Sequence, residues 1–224
     1  MSKWKTTTVI SLLIALIPLG LYWYLYPQMP EMVPIHFDWQ GRADRFVEKS
    51  SLEVPLLAGL GLIGLAVIKV SFALTLRFGG QQTKDNGRAA AKNASLSVLG
   101  CTVLFAVISV HALIVQTGTI AFSGLVMVRI TMVILGLLML ITGNQMPKLR
   151  RNSLAGLRLK ETLADDRSWF RGQRFAGRCY VAGGILLLAG VLLPGWWALY
   201  AGIAFFALAN IIPVVYVKKV LNNE

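Results

Sequence analysis

The chain has 224 residues, of which 56% are apolar and 14% are charged, whereas about 25% of residues are charged in a typical soluble domain. Basic residues outnumber acidic ones by 22 to 10, which gives a net charge of +12. This composition excludes a disordered chain, and two cysteines exclude a disulfide scaffold. A mean hydropathy of +0.64 excludes a soluble nucleic-acid binder, so we expect an integral membrane protein whose main partner is the lipid bilayer and which binds no nucleic acid directly.

Six apolar runs are candidates for membrane-crossing helices, each of which needs about 20 residues. In chain order these predicted spans are Thr6–Tyr26, Leu52–Leu76, Ala94–Val115, Ile120–Thr142, Gly177–Leu193 and Trp196–Val217. The predicted fold class is therefore all-α, a polytopic membrane protein with six transmembrane helices.

The basic residues predict which side of the membrane each loop faces. Seventeen of the 22 lie before span one, between spans two and three, between spans four and five, or after span six. Only Arg42, Arg45 and Lys49 lie in loops on the opposite side. Because cytoplasmic loops carry the excess of Lys and Arg, both termini are predicted to be cytoplasmic, in a bacterial inner membrane.

The predicted outer segment, residues 27–49, is too long for a simple connector. Its prolines force extended backbone, and Val33, Ile35 and Phe37 alternate with polar residues or proline as they would in a short strand. We expect a compact extracellular element. Its aromatic residues, Phe37, Trp39 and Phe46, are expected to seat it on the membrane or on the helices.

The predicted inner segment, residues 143–178, ends in a basic helix. Thr162 is the predicted N-cap, and the acidic pair after it suits the first turn. Four arginines then share one helix face: Arg167, Arg171, Arg174 and Arg178. This face suits either anionic lipid at the inner interface or an acidic cytoplasmic partner.

Three polar residues lie inside predicted spans. Lys69 is about 10 Å from the inner end of span two, so its amine can extend towards the cytoplasm. Arg129 lies near the middle of span four, where a charge needs carbonyls, water, an anion or an acid. We expect Arg129 and His111 to line an outer vestibule in which Asp38 or Asp44 pairs with Arg129.

No residue pattern indicates catalysis, a metal site or a cofactor. The chain has two histidines and no nucleophile elbow, zinc-protease motif, P-loop or dinucleotide-binding motif. His36 and its neighbouring carboxylates match no metal-ligand spacing. We therefore predict no enzyme activity, no metal and no cofactor.

The outer segment resembles the DUF1648 domain, whose pattern includes two prolines, His-Phe, Gly, Asp and Lys. The predicted extracellular motif comprises Pro30, Pro34, His36, Phe37, Asp38, Gly41, Asp44 and Lys49. The resemblance assigns residues 1–93, with spans one and two, to a DUF1648-like region.

The inner segment resembles the signature of the SdpI family, which assigns residues 94–224 to an SdpI-like region. The predicted cytoplasmic signature comprises Asn144, Pro147, Lys148, Asn152, Gly156, Arg158, Thr162, Trp169, Arg171 and Arg174. Two stretches depart from that signature, Leu159-Lys160-Glu161 in place of Thr-Pro-Trp and Gly172-Gln173 in place of Thr-His. Their effect is left open by the sequence.

The resemblance implies a bacterial multi-pass protein that gives immunity to a secreted toxic peptide. It further implies a cytoplasmic repressor as a partner in signalling. The alternative from the residues alone is a transporter or channel for a small solute or anion, in which Arg129 would bind the substrate.

Overall fold

The computed structural model describes residues 3–38, 42–78, 81–120 and 123–221. Its helices are α1 Lys3–Leu25, α2 Glu53–Ala58, α3 Leu60–Phe78, α4 Gln81–Gln116, α5 Gly124–Gln145, α6 Lys160–Ala164, α7 Asp166–Gly190 and α8 Trp197–Tyr216. Two strands, β1 Met32–Phe37 and β2 Ala43–Glu48, pair antiparallel between α1 and α2. The all-α prediction is right for most of the chain and wrong in omitting this small sheet.

Four helices of the described chain are long and apolar enough to cross a bilayer. They give the candidate spans Thr6–Gln28, Ser97–Gln116, Gly124–Lys148 and Trp197–Val220. These correspond to predicted spans one, three, four and six, with ends displaced by a few residues. The chain is thus a helical membrane protein.

The predicted second span is two helices instead of one. Helix α2 ends at Ala58, and Gly59 separates it from α3, whose apolar part, Leu60–Thr75, is shorter than the four candidate spans. Beside this break the carbonyl of Leu57 accepts a hydrogen bond of 2.7 Å from the Ser109 hydroxyl of α4. A side chain of another helix thus bonds a backbone carbonyl next to the break. The hydropathy of the sequence does not reveal this contact.

The predicted fifth span is the apolar half of α7, a helix that also contains the basic face. The predicted N-cap, Thr162, is wrong: Asp165 caps α7, and its carboxylate accepts from the Ser168 backbone N–H at 2.9 Å. The Thr162 hydroxyl instead lies inside α6 and donates to the Leu157 carbonyl at 2.8 Å. Both residue types are good caps, so only packing distinguishes them.

The chain divides into two compact units, and the first comprises residues 1–69 and 98–127. Its buried core joins Tyr22 of α1, Val33 of β1, Val54 of α2 and Leu113 of α4. The small sheet is therefore seated by Val33, which is fully buried. Phe46 has half of its surface exposed, so it lies outside this core, and its seating on the membrane stays a prediction.

The second unit comprises residues 70–97 and 128–224. Its core cluster takes residues from three helices: Met132 and Met139 of α5, Leu187 of α7, and Ala198 and Ala209 of α8. Helices α5 and α7 cross at glycines spaced seven residues apart on each helix, Gly136 and Gly143 against Gly184 and Gly177. Small residues allow backbones to approach closely, which favours helix association in membranes.

Candidate functional site

The predicted extracellular motif lies in the hairpin formed by the antiparallel pair β1–β2, and its charged side chains pair with each other. The His36 ring Nδ1 lies 2.6 Å from an Asp44 carboxylate oxygen, and Arg42 donates to Asp38 at 2.8 Å. These four residues lie at the ends of the two strands that flank residues 39–41. The strand pairing is irregular in the same region, between Pro34 and Phe37. Gly41 of the motif lies outside the described residues.

Lys49 closes the other end of the hairpin. Its amine lies 2.8 Å from Glu31 and above the Tyr26 ring, 5.8 Å from the centroid. The hydrogen bond to Glu31 raises the pKa of Lys49. The ion pair between Lys49 and Glu31 therefore joins the two ends of residues 27–49. Pro30 of the motif directly precedes Glu31.

Two of the three predicted intramembrane polar residues, Lys69 and Arg129, form a hydrogen bond within their own unit. The Lys69 amine donates to the Thr8 hydroxyl at 2.7 Å, near the start of α1, as expected for an amine that extends towards that end. Arg129 donates from Nη2 to the Leu193 carbonyl at 3.3 Å, which is one of the partners the sequence allowed. His111 is partly buried on α4. The vestibule and the pairing of Arg129 with Asp38 or Asp44 remain predictions.

Part of the predicted cytoplasmic signature is buried and supports the loop before α6. The Asn152 side chain accepts from the backbone N–H groups of Leu154 and Ala155 at 2.8 and 2.9 Å. The Trp169 indole donates to the Leu149 carbonyl at 2.7 Å, and only 2% of this residue is exposed. These buried side chains supply the hydrogen bonds that an irregular backbone lacks.

Gln173, at one of the departures from the family signature, holds the same loop from α7. Its Oε1 accepts from the Leu157 N–H at 2.9 Å, and its Nε2 donates to the Leu157 carbonyl at 2.9 Å. Gly156 allows this approach, because it has a φ of +102° and a Cβ there would lie 2.5 Å from Gln173 Oε1. The departure therefore has a structural role.

Arg151 joins α6 to α7. It donates to the Leu163 and Ala164 carbonyls at the end of α6, at 2.8 and 3.0 Å, and to Asp166 at the start of α7, at 2.7 Å. A cation at a helix C-terminus and a carboxylate at an N-terminus both complement the helix dipoles. The junction between the two helices is thus built from charges.

We expect the cap of α7 to weaken in acid. Hydrogen bonds from Ser168 lower the pKa of Asp165, so its contribution to stability is present above the ordinary aspartate pKa and disappears as the pH falls through the lower folded value. Replacing Asp165 with alanine should lower the unfolding midpoint at pH 7, and this effect should shrink as the pH falls through the lowered pKa of Asp165. Thermal unfolding in detergent across this range tests it. Asp165→Asn has a cap that does not titrate, so the stability that this cap contributes should not fall with pH.

The rest of the signature is mostly accessible. Asn144, Lys148 and Arg174 are exposed, and so is Arg158, which donates to the Ser153 carbonyl at 2.7 Å. Arg171 is partly buried. Lys148, Arg150, Trp169 and other residues line an open cavity of about 520 Å³. The loop thus presents cations on a frame that Asn152, Thr162 and Trp169 hold from within.

The structure brings most of the predicted inner residues together but gives them different roles. Sequence reasoning missed Arg151 and Asp165 as elements of the site. Gln173 lies four residues after Trp169, so both project from one face of α7. That spacing is a signal that could have identified Gln173 as part of the loop frame.

The fold and site define a class: a helical membrane protein with a small sheet in its N-terminal unit and a basic, folded loop in its C-terminal unit. Residues 148–217 match the SdpI/YfhL protein family, and residues 13–62 match the domain of unknown function DUF1648. The predicted similarity to the SdpI family is therefore confirmed, and the two family matches follow each other in the expected order.

One curated relative matches over nearly the whole chain. It is the Immunity protein SdpI of Bacillus subtilis (strain 168), with 25% identity over 218 residues, covering 94% of this chain and 96% of the relative. No solved structure matches the chain.

Proposed function

We propose that this chain is an immunity protein of the bacterial inner membrane, which protects the cell against a secreted toxic peptide. The similarity to an immunity protein along 94% of the chain carries this proposal. The ordered DUF1648 and SdpI/YfhL matches support it. The proposed role is binding, without enzymatic activity.

The proposed topology has six spans and cytoplasmic termini. Four candidate spans, the apolar part of α3 and the apolar half of α7 support the count. Seventeen basic residues on one side support the orientation. This topology places the hairpin outside and the signature loop inside.

The proposed toxin-facing surface is the hairpin. Val33 and the ion pairs hold its fold, whereas Met32 and Phe46 each have 50% of their surface exposed. Exposed apolar side chains on a rigid element suit an amphipathic peptide, since a few aromatic anchors carry much of the energy in most interfaces.

The proposed intracellular partner is a repressor protein that docks on the signature loop. The open cavity beside Lys148, Arg150 and Phe170 supports this part of the proposal, because it combines cations with an exposed aromatic ring. An acidic surface on the partner would complement it.

Survival of a toxin-sensitive strain tests the immunity function. Cells expressing the chain should survive peptide concentrations that kill cells with an empty vector. Phe46→Ser should reduce the tolerated concentration about tenfold, as for an aromatic anchor. The control is Phe78→Ser, which removes a phenylalanine at the end of α3 that is even more exposed than Phe46, 76% against 50%.

Absence of protection, with the chain present in the membrane fraction, would contradict the immunity function. Solute uptake by proteoliposomes that Arg129→Ala abolishes would instead support the transporter alternative. Equal losses for Phe46→Ser and Phe78→Ser would contradict the assignment of the hairpin as the toxin-facing surface.

A further inference from the structure

A groove of about 530 Å³ runs along α7 beside the end of α5. Its polar lining comes from Asn144, Arg174 and Arg178, and its apolar wall from Val181, Ala182 and Ile185. All of these residues belong to the second unit. The groove is therefore amphiphilic along one helix, with its cations at one end.

The close glycine crossing accounts for the shape of the groove. A Cβ on Gly177 would lie 2.6 Å from the Gly143 carbonyl oxygen, so the two backbones nearly touch. Neither glycine has a side chain to fill the space beside the crossing. The opening remains between the residues that flank it.

The two cations of the groove, Arg174 and Arg178, lack a carboxylate partner among the described residues. Arg174 lies over the Phe170 ring at 5.3 Å, whereas Arg151 is bound by two carbonyls and Asp166. Two guanidinium groups four residues apart on a helix face one side and suit a single phosphate.

We infer that this groove binds one anionic phospholipid. Its phosphate lies between Arg174 and Arg178, and an acyl chain follows Val181, Ala182 and Ile185. From Arg178 to Ile185 the helix rises about 10 Å, so the apolar wall continues into the region proposed as span five. A free phosphate or an acidic peptide would use the cations and leave this wall uncovered.

This inference rests on the proposed membrane placement and is independent of the immunity activity. Its test titrates phosphatidylglycerol into the full-length chain in phosphatidylcholine micelles, with bound lipid counted by native mass spectrometry. The double variant Arg174→Gln/Arg178→Gln should bind phosphatidylglycerol about 25-fold more weakly, since each lost charge-assisted hydrogen bond to the phosphate should cost about fivefold.

The charge-matched control is Arg167→Gln/Lys218→Gln, which removes two exposed cations outside the groove. Its affinity should stay within about twofold of the parent chain. If the control loses as much affinity as the groove variant, attraction is diffuse and the site is wrong. No preference for phosphatidylglycerol over phosphatidylcholine in the parent chain would also overturn it.

A second variant separates a lipid from its headgroup alone. Ala182→Trp places a large side chain in the space proposed for the acyl chain and leaves the charge unchanged. It should weaken phosphatidylglycerol binding. Unchanged affinity, or efficient competition by inorganic phosphate or a soluble acidic peptide, would overturn the lipid assignment. Loss of lipid binding with normal survival in the toxin assay would leave the immunity function standing, so the two proposals fail separately.

Discussion

Gly177→Ala should destabilise the second unit by about 3 kcal/mol, at the upper end of overpacking effects. The added Cβ would lie 2.6 Å from the Gly143 carbonyl oxygen and 3.2 Å from the Pro147 ring. The nearest atom belongs to backbone, so a rotamer change cannot relieve the contact. Helices α5 and α7 must separate, which also weakens the neighbouring contact between Gly136 and Gly184.

Gly20→Ala is the matched control, because nothing lies within 4 Å of the Cβ it would add on α1. Alanine is the better helix former, so this variant should lose no stability. The stabilities of both variants are measured by titrating sodium dodecyl sulfate into the detergent-purified protein and following unfolding by circular dichroism. Equal unfolding midpoints for Gly177→Ala and the parent chain would show that the helices do not cross this closely.

Gln173→Leu should cost about 2 to 3 kcal/mol, because it leaves the part-buried N–H of Leu157 without its acceptor and removes two hydrogen bonds. The Leu157 carbonyl retains the Thr162 hydroxyl as a donor. The loop before α6 should therefore loosen without unfolding of the whole chain. Trypsin should cleave it faster, since Arg150 and Arg158 are exposed in this loop.

The control is Gln28→Leu, whose exposed amide makes one long hydrogen bond of 3.4 Å. It should leave the digestion rate unchanged. Gln173→Glu separates the two bonds, because it keeps an acceptor for the Leu157 N–H and sets a carboxylate against the Leu157 carbonyl. If Gln173→Leu is digested no faster than the parent chain, the amide does not hold the loop.

Much of the fold could be predicted because its signals are local. Spans one, three, four and six follow from runs of apolar residues, and β1 follows from the alternation around Val33 and Ile35. The partner strand β2 was missed, since three of the six residues of Ala43–Glu48 are charged and most are exposed. Its pairing depends on β1 lying next to it.

The candidate site was predictable as a set of residues and less so in its roles. The resemblance to the SdpI family identified Asn152, Thr162 and Trp169, but residue type alone could not assign them to the interior of the loop. Gln173 was noticed only as a departure. Its two hydrogen bonds to Leu157 depend on an approach between segments 16 residues apart.

Composition and charge by themselves determined that this is a helical membrane protein, since apolar runs of sufficient length need no partner to be recognised. They also identified Lys69 and Arg129 as cations inside predicted spans. Only the tertiary structure decided that Asp165 and not Thr162 caps α7, that Leu193 supplies a carbonyl to Arg129, and that glycines bring α5 and α7 together. The reason is physical: hydropathy acts through each segment alone, whereas caps, buried cations and close crossings depend on atoms brought in from elsewhere in the chain.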